Sequence, residues 1–580
     1  MEGESPKFLG AVNLLSQAGR WELACSRTEC TFPPSIFMQV MLNLVERPNI
    51  NSSHLFRADI LYDSRNPQTS KQINKETEKE SLEDTRPAPA PECDHLRLDF
   101  TIVRRFIPRN PNLDSSLIQT CHFYSSFQQE SPTATATSED SPHHSAVIYI
   151  PHANTPSSIP WYHPVVQQLL FHYSYFPPSP NQPQQVQQNQ QQTTPNTLTL
   201  YYLLFPPPSP QELTPRLVKT ASNLLTTIAK HSHNQQSGYQ KRVIHDTIIP
   251  QKRLQDTYTR LKLTHAKRLS SSWVESTDPS KHVFEDLLIV AFLVELWRDL
   301  YNLDPCVPAC EKASKMPHGF VDIGCGNGIL VCVLLREGYR GWGFDARRRK
   351  TWATFEPEIQ SHLEEMMLIP QQLLSPTQQD QEEEQQYPPT ETNPKIHTGV
   401  FPPHTFLISN HADELTPWTP LLASLSQSPF LAIPCCSHAL NGSRFRFSSK
   451  PSQPPTTPPT NPNPNSTSGS LTTLKAHRIQ KQESTYASLC SYVIRLAREC
   501  GFEVRTEWLR IPSTRNMGIV GWVGGGGAGE GEGGGRDDGV TMTTMMMGVE
   551  GVREIVRREG GAEGFGERIE GLRRPGNGGH

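Results

Sequence analysis

Between Gly319 and Val523, short apolar runs alternate with segments of helical period. Phe320-Val321-Asp322-Ile323 reads as a strand running into glycines, Ile329 to Glu337 as a helix, and Gly341 to Phe344 as a second strand. Phe406 to Ser409 and Phe430 to Ile433 read as two more strands. Ser484 is placed to cap a helix running to Cys500, with Gly501 as its stop. Val504 to Ile511 and Met517 to Val523 flank a turn at Pro512 to Asn516, the pattern of an antiparallel hairpin. Strands alternating with helices predict an α/β fold: a mostly parallel sheet with the hairpin at its edge.

Upstream, Pro215 to Leu300 is helical by periodicity, and apolar residues cover most of the surface from Phe284 to Trp297. That helix should be buried. Ahead of it, Gln240 to Leu269 is basic, with Lys241, Arg242, Lys252, Arg253, Arg260, Lys262, Lys267 and Arg268 against Asp246 and Asp256. The N-terminal stretch to about residue 62 mixes apolar and polar positions like folded structure. Strand-like runs resume at Leu96 to Ile107 and Ala146 to Ile150. Tracts of biased composition near 64–91, 178–197, 371–390 and 451–469 read as flexible spacers. After Val523 the chain is Gly-rich, with one short helix expected near Val549 to Arg558. The expected division is a less regular N-terminal region (1–205), a helical basic segment (206–300), a catalytic domain (301–523) and a tail (524–580).

Composition sharpens this picture. Hydrophobic residues are 35% of the chain, and 52 of its 580 residues are proline; the usual proline share is about 5%. Folded domains are therefore expected between spacers too polar to offset their ordering entropy. The net charge is −4, so any nucleic-acid surface must be a local patch. The start lacks a secretory pattern. The longest apolar run, Leu287 to Trp297, is too short to span a bilayer and is broken by Glu295. A soluble intracellular protein with no membrane association is expected. The cysteines include no CxxC pair; Cys25/Cys30 and Cys306/Cys310 read as ordinary thiols, and no metal is expected.

The sharpest local signal is Val321-Asp322-Ile323-Gly324-Cys325-Gly326-Asn327-Gly328, a strand leading through alternate glycines into a helix. Glycine is needed where backbone turns tightly and approaches a ligand with no Cβ in the way. A dinucleotide fingerprint would need glycine where Ile329 stands, and the Lys-Ser/Thr ending of a P-loop is absent. Asp345 ends the second strand, where a carboxylate can accept bonds from ribose hydroxyls. The G-x-G-x-G form resembles the first motif of class I S-adenosylmethionine-dependent methyltransferases, whose sheet is Rossmann-like.

Longer blocks resemble one family. His318 to Gly328, Glu337 to Arg347, Ser409-Asn410-His411-Ala412-Asp413-Glu414-Leu415-Thr416-Pro417-Trp418, Leu431 to Cys436 and Leu509 to Asn516 are similar to the tRNA (uracil-2′-O-)-methyltransferases. So are Lys241-Arg242-Val243, Asp256 to Lys262 and His282 to Asp286. The resemblance implies methylation of the ribose 2′-hydroxyl of uridine 44 in serine tRNA, in the cytoplasm. S-adenosylmethionine would sit on Asp322, Gly324, Gly326, Gly328, Asp345 and Asn410.

A ribose hydroxyl is a poor nucleophile and benefits from a base. Asp413, Glu414 and His411 are the candidates, although an acidic helix cap before Thr416 predicts the same residues. Cys435 and Cys436 should face the crevice in a packing role. For RNA, the candidates are Lys241, Arg242, Arg260, Lys262, Arg347, Arg348, Arg510 and Arg515, since phosphate contacts need positive charge. Two other readings stay open: a methyltransferase of a protein or small molecule, and a catalytically silent tRNA-binding protein.

Overall fold

The computed structural model describes residues 21–28, 30–66, 86–93, 95–110, 113–126, 143–177, 196–206, 212–239, 245–374, 395–445, 484–522 and 546–561. Of the expected spacers at 64–91, 178–197, 371–390 and 451–469, residues 67–85, 178–195, 375–390 and 451–469 lie outside them, as do Lys241 and Arg242. Residues 371–374, the start of one expected spacer, form a helical turn. The chain divides into two units, 1–241 and 242–580.

The first unit is one antiparallel sheet. Strands β1 (Trp21–Arg27), β2 (Leu55–Asp63), β3 (Leu96–Pro108), β4 (Leu117–Ser126), β5 (His143–Pro151), β6 (Gln168–Tyr175) and β7 (Thr197–Leu203) take the order β1-β7-β6-β5-β4-β3-β2. Helices α1 (Pro34–Glu46) and α2 (Pro215–Gln236) pack on it through Phe37, Met41, Leu225 and Ile228. Buried Arg104 donates to the Leu44 and Val45 carbonyls at 3.0 and 2.7 Å, satisfying the carbonyl end of α1. The expectation of a less regular N-terminal region is corrected: biased tracts fall between the strands and hide a regular meander.

In the second unit β8 (Phe320–Ile323), β9 (Gly341–Asp345), β10 (Leu363–Leu368), β11 (Lys395–His397), β12 (Phe406–Asn410), β13 (Phe430–Ile433), β14 (Glu503–Trp508) and β15 (Met517–Trp522) form one sheet. Its order is β11-β10-β9-β8-β12-β13-β15-β14. Neighbours from β11 to β13 pair in parallel, while β15 runs antiparallel to both β13 and β14. The hairpin sits at the edge, as its turn pattern predicts.

Alternation along the strands sends side chains to opposite faces. Phe320, Phe406, Ile408 and Leu431 meet α3 (Gln251–Leu261), α4 (Pro279–Tyr301) and α5 (Ile329–Arg336). Val321, Ile323, Leu407 and Phe430 meet α6 (Thr419–Leu425), α7 (Thr485–Glu499) and α8 (Val549–Arg558). Ser484 Oγ accepts the Ala487 N–H at 3.2 Å, the expected cap of α7.

Two expected boundaries move. The segment 206–300 is split, because α2 buries its apolar stripe in the first unit while α3 and α4 bury theirs in the second. The tail is not a separate unit, since Val552, Ile555 and Val556 of α8 are buried against α6 and α7. No helix among the described residues is long and apolar enough to cross a membrane.

Candidate active site

Strand order reverses between β8 and β12, so the loops that follow them diverge and leave a crevice at the carboxyl ends. Past β8, the Gly324 and Cys325 N–H groups both donate to the Phe344 carbonyl at 2.9 Å, folding the turn back over β9. Gly324, Gly326 and Gly328 have φ of +73°, +51° and +75°, the region that disfavours a side chain. A Cβ at 324 would lie 3.1 Å from that of Ala412, and one at 328 would press on Leu363 and Trp352 at 3.0 and 3.1 Å. At 326 it would meet nothing within 4 Å. Gly326 therefore leaves room, while the other two allow packing. Trp352, fully buried, donates its indole N–H to the Gly326 carbonyl at 2.9 Å and fixes the turn.

Asp345, at the end of β9, lies beside this turn. Its Oδ2 accepts the Gly326 N–H at 3.1 Å and its Oδ1 the Arg347 N–H at 3.0 Å.

The opposite wall comes from α4. Asp322 falls on the face of β8 that meets this helix and lies close to Asp286 in the helix's second turn. Asp322 is 1% exposed, and its Oδ1 has no hydrogen-bond partner; neither has Asn410 Oδ1. Asn327 Nδ2 donates to Asp286 Oδ2 at 3.1 Å. Burial pushes Asp286 up to about 7, and Glu285 adds to the rise against opposing pulls from Asn327 and His411. Burial, then the charges of Asp286 and Asp345, holds Asp322 well above the usual carboxylate range. Two buried carboxyls with an unmet oxygen make a receptor for a cation.

The loop after β12 closes the crevice. His411 and Asp413 take left-handed φ of +53° and +44°. His411 Nε2 lies 3.2 Å from Glu285 Oε1, while its Nδ1 has no partner. Asp413–Leu415 is a short 3-10 turn. Burial raises the Glu414 carboxyl, with Asp413 and Asp345 adding to the rise. Across from it, Cys435 donates its S–H to Asp413 Oδ1 at 3.1 Å. Burial raises both Cys435 and Cys436, so they stay as thiols.

The crevice holds about 870 Å³ and brings together Asp322, Gly324, Gly326, Asp345, Asn410, His411, Asp413 and Glu414. Gly328, also expected to touch the donor, is not among the lining residues and lies close to Leu363 and Trp352. Of the expected RNA contacts, Arg347 and Arg515 line it, with no ion pair among the described residues. Arg348 sits over the Trp352 ring at 5.4 Å, Arg260 pairs with Glu337 at 2.7 Å, and Lys262 lies over Tyr258 at 4.7 Å. Arg510 is tied down: its Nε and Nη2 donate to the Asp246 carboxylate at 3.0 and 2.5 Å. Beside it, Glu507 accepts the N–H groups of residues 246–248 at 2.6–2.8 Å. That turn clasps the segment before α3. Glu285 and Asp286 were missed; their signal is an acidic pair near the start of an otherwise apolar helix.

The parallel sheet, the glycine turn and the carboxylate beside it point to one class. Residues 248–370 match the family model described as "Predicted AdoMet-dependent methyltransferase". The chain is an S-adenosylmethionine-dependent methyltransferase. The residues fit that donor: Gly326 leaves it room, and the buried Asp286 and Asp322 carboxyls, with Asp322 Oδ1 unmet, suit its positive charge. Residues 4–242 match a second model, "TRM44-like, N-terminal bet v1-like domain".

Relatives narrow the class. The chain is 42% identical over 505 residues to a tRNA (uracil-O(2)-)-methyltransferase of Neurospora crassa, covering 85% of each chain. It is 38% identical over 603 residues to one of Aspergillus oryzae (94% of this chain, 91% of the other). It is 34% identical over 571 residues to one of Saccharomyces cerevisiae, covering 89% of each. It belongs to the tRNA (uracil-O(2)-)-methyltransferase family. No solved structure matches it.

Proposed function

We propose that this crevice, on a Rossmann-like class I methyltransferase sheet, methylates the ribose 2′-hydroxyl of a uridine in tRNA. The resemblance of the motif blocks supports uridine 44 of serine tRNA and a cytoplasmic location. The observation that carries the reading is that one crevice joins the glycine turn, a half-buried carboxyl of raised pKa and two arginines without ion pairs among the described residues. S-adenosylmethionine, when bound, supplies a methyl group made electrophilic by its sulfonium.

Asp286, Asp322 and Asn410 Oδ1 would hold the donor's ammonium, and Asp345 would accept from its ribose hydroxyls. Glu414 takes the proton of the tRNA hydroxyl, and its raised pKa makes it the stronger base. His411, held by Glu285, orients the acceptor ribose. Positioning the hydroxyl in line with the methyl supplies much of the acceleration. Arg347 and Arg515 meet phosphates at the rim.

The test is transfer of labelled methyl to total tRNA, followed by alkaline hydrolysis. Alkali-resistant label in a dinucleotide beginning with 2′-O-methyluridine supports the reading. Label in protein, in a base or in a metabolite overturns it.

Glu414→Gln is expected to lower kcat by about 10²–10⁴-fold, the usual worth of a general base, with S-adenosylmethionine affinity unchanged. In the wild type, kcat should fall as pH drops through the raised Glu414 pKa, and that limb should be absent in the variant. An unaltered pH profile would remove Glu414 from the reaction.

Arg347→Ala and Arg515→Ala should each flatten the salt dependence of tRNA binding, with the log–log slope falling by nearly one unit per lost phosphate contact. Arg510→Ala should leave that slope unchanged, because Asp246 already occupies its guanidinium. A flatter slope for Arg510→Ala would return that residue to the RNA surface.

A further inference from the structure

We propose that Asp413, Cys435 and Cys436 bind one zinc ion, with His438 as the fourth donor. One donor atom from each of the first three lies within 4.8 Å of the others. A tetrahedral zinc with bonds of about 2.3 Å to sulfur and about 2.0–2.2 Å to oxygen spaces its donors by about 3.5–3.8 Å. The three donors therefore reach coordination spacing with movements of about an ångström. Cys435 Sγ is already 3.1 Å from Asp413 Oδ1, through a proton that a metal would replace.

A second observation is independent of that cluster. His438 lines the same crevice, is 8% exposed, and its buried Nδ1 has no hydrogen-bond partner; it lies outside the 4.8 Å group and must move toward it to ligate. A buried imidazole nitrogen left unmet costs free energy unless something ligates it. Two thiolates, an imidazole and a carboxylate form a donor set that suits zinc, while magnesium and calcium take oxygen ligands.

On binding, the metal forms two Zn–S bonds and two S–H protons leave to solvent, so the charge balances. Four protein donors fill the coordination sphere, which makes this a holding site. It ties the loop after β12 to the loop after β13, the wall that faces the acceptor ribose. Asp413 is then a ligand, which leaves proton transfer to Glu414. The cluster is invisible along the sequence because Asp413 and Cys435 are 22 residues apart.

The test uses the full chain, produced with zinc in the medium and purified without chelator, and reads metal content by plasma mass spectrometry. About one zinc per chain is expected, falling at least tenfold in the double variant Cys435→Ser/Cys436→Ser. Should that variant misfold, Asp413→Asn is read alongside it and should hold the metal at least tenfold more weakly. Cobalt added to metal-stripped protein should give a thiolate charge-transfer band with intense tetrahedral d–d bands, weakened in His438→Ala. Wild-type protein that purifies without metal and leaves cobalt with its hydrated spectrum overturns the proposal. None of these readings needs tRNA or methyl donor, so their failure leaves the methyl-transfer reading standing.

Discussion

Gly326→Arg is expected to abolish S-adenosylmethionine binding, raising Kd more than 100-fold in a calorimetric titration, while the protein stays folded. A Cβ at this position meets nothing within 4 Å, so the added side chain projects into the open crevice instead of into the core. The backbone strain is modest, since a left-handed residue other than glycine costs about 1–2 kcal/mol. Gly328→Ala, two residues on, should behave oppositely. Its methyl group would press on Trp352 and Leu363, so thermal stability should fall clearly with only a small change in donor affinity. Equal donor affinity in Gly326→Arg and the wild type would show that the donor does not occupy this crevice.

These glycines also show how far the sequence can be read. The alternate spacing pointed to a ligand turn, and the turn sits at the carboxyl end of β8 beside Asp345. The spacing did not distinguish the glycine that admits a ligand from those that admit Ala412 and Trp352, because those neighbours are remote in sequence. The hairpin was legible through its alternation. The role of its turn was not: Arg510 looked like a phosphate contact until Asp246, more than two hundred residues away, appeared as its partner. Helix α4 was legible as buried from its apolar surface, and that same pattern concealed its chemistry. Asp286 stands just before the apolar run and carried no signal of its own, and only the packing of α4 against β8 brings it to Asp322. The seven-stranded sheet of the first unit was the least legible element. Its strands are separated by biased tracts, and pairing between neighbours leaves no mark on local periodicity.

Asp286→Asn is expected to stabilise the protein without its donor and to weaken donor binding. In the folded chain Asp286 is raised from 3.8 to about 7, so folding favours its protonated form. Below the unfolded value both states carry the proton, and burial costs little. As pH rises from about 4 to about 7, the unfolded chain ionises freely while the folded one resists, and stability is lost across that window. The shift sets a ceiling of about 4 kcal/mol on that loss. Asparagine has no charge to bury, and its carbonyl still accepts the bond that Asn327 gives at 3.1 Å. Melting temperatures of wild type and variant should therefore nearly coincide at pH 4 and separate progressively to pH 8, with the variant higher. Donor affinity should move the other way, by about 10–100-fold, because an ammonium ion loses one of its two carboxylates. The carboxylate would then be retained for binding, at a cost in stability that the donor's positive charge relieves. A variant less stable than wild type at pH 8 would show that Asp286 already has a counter-charge in the free protein. Unchanged donor affinity would move the ammonium site away from α4.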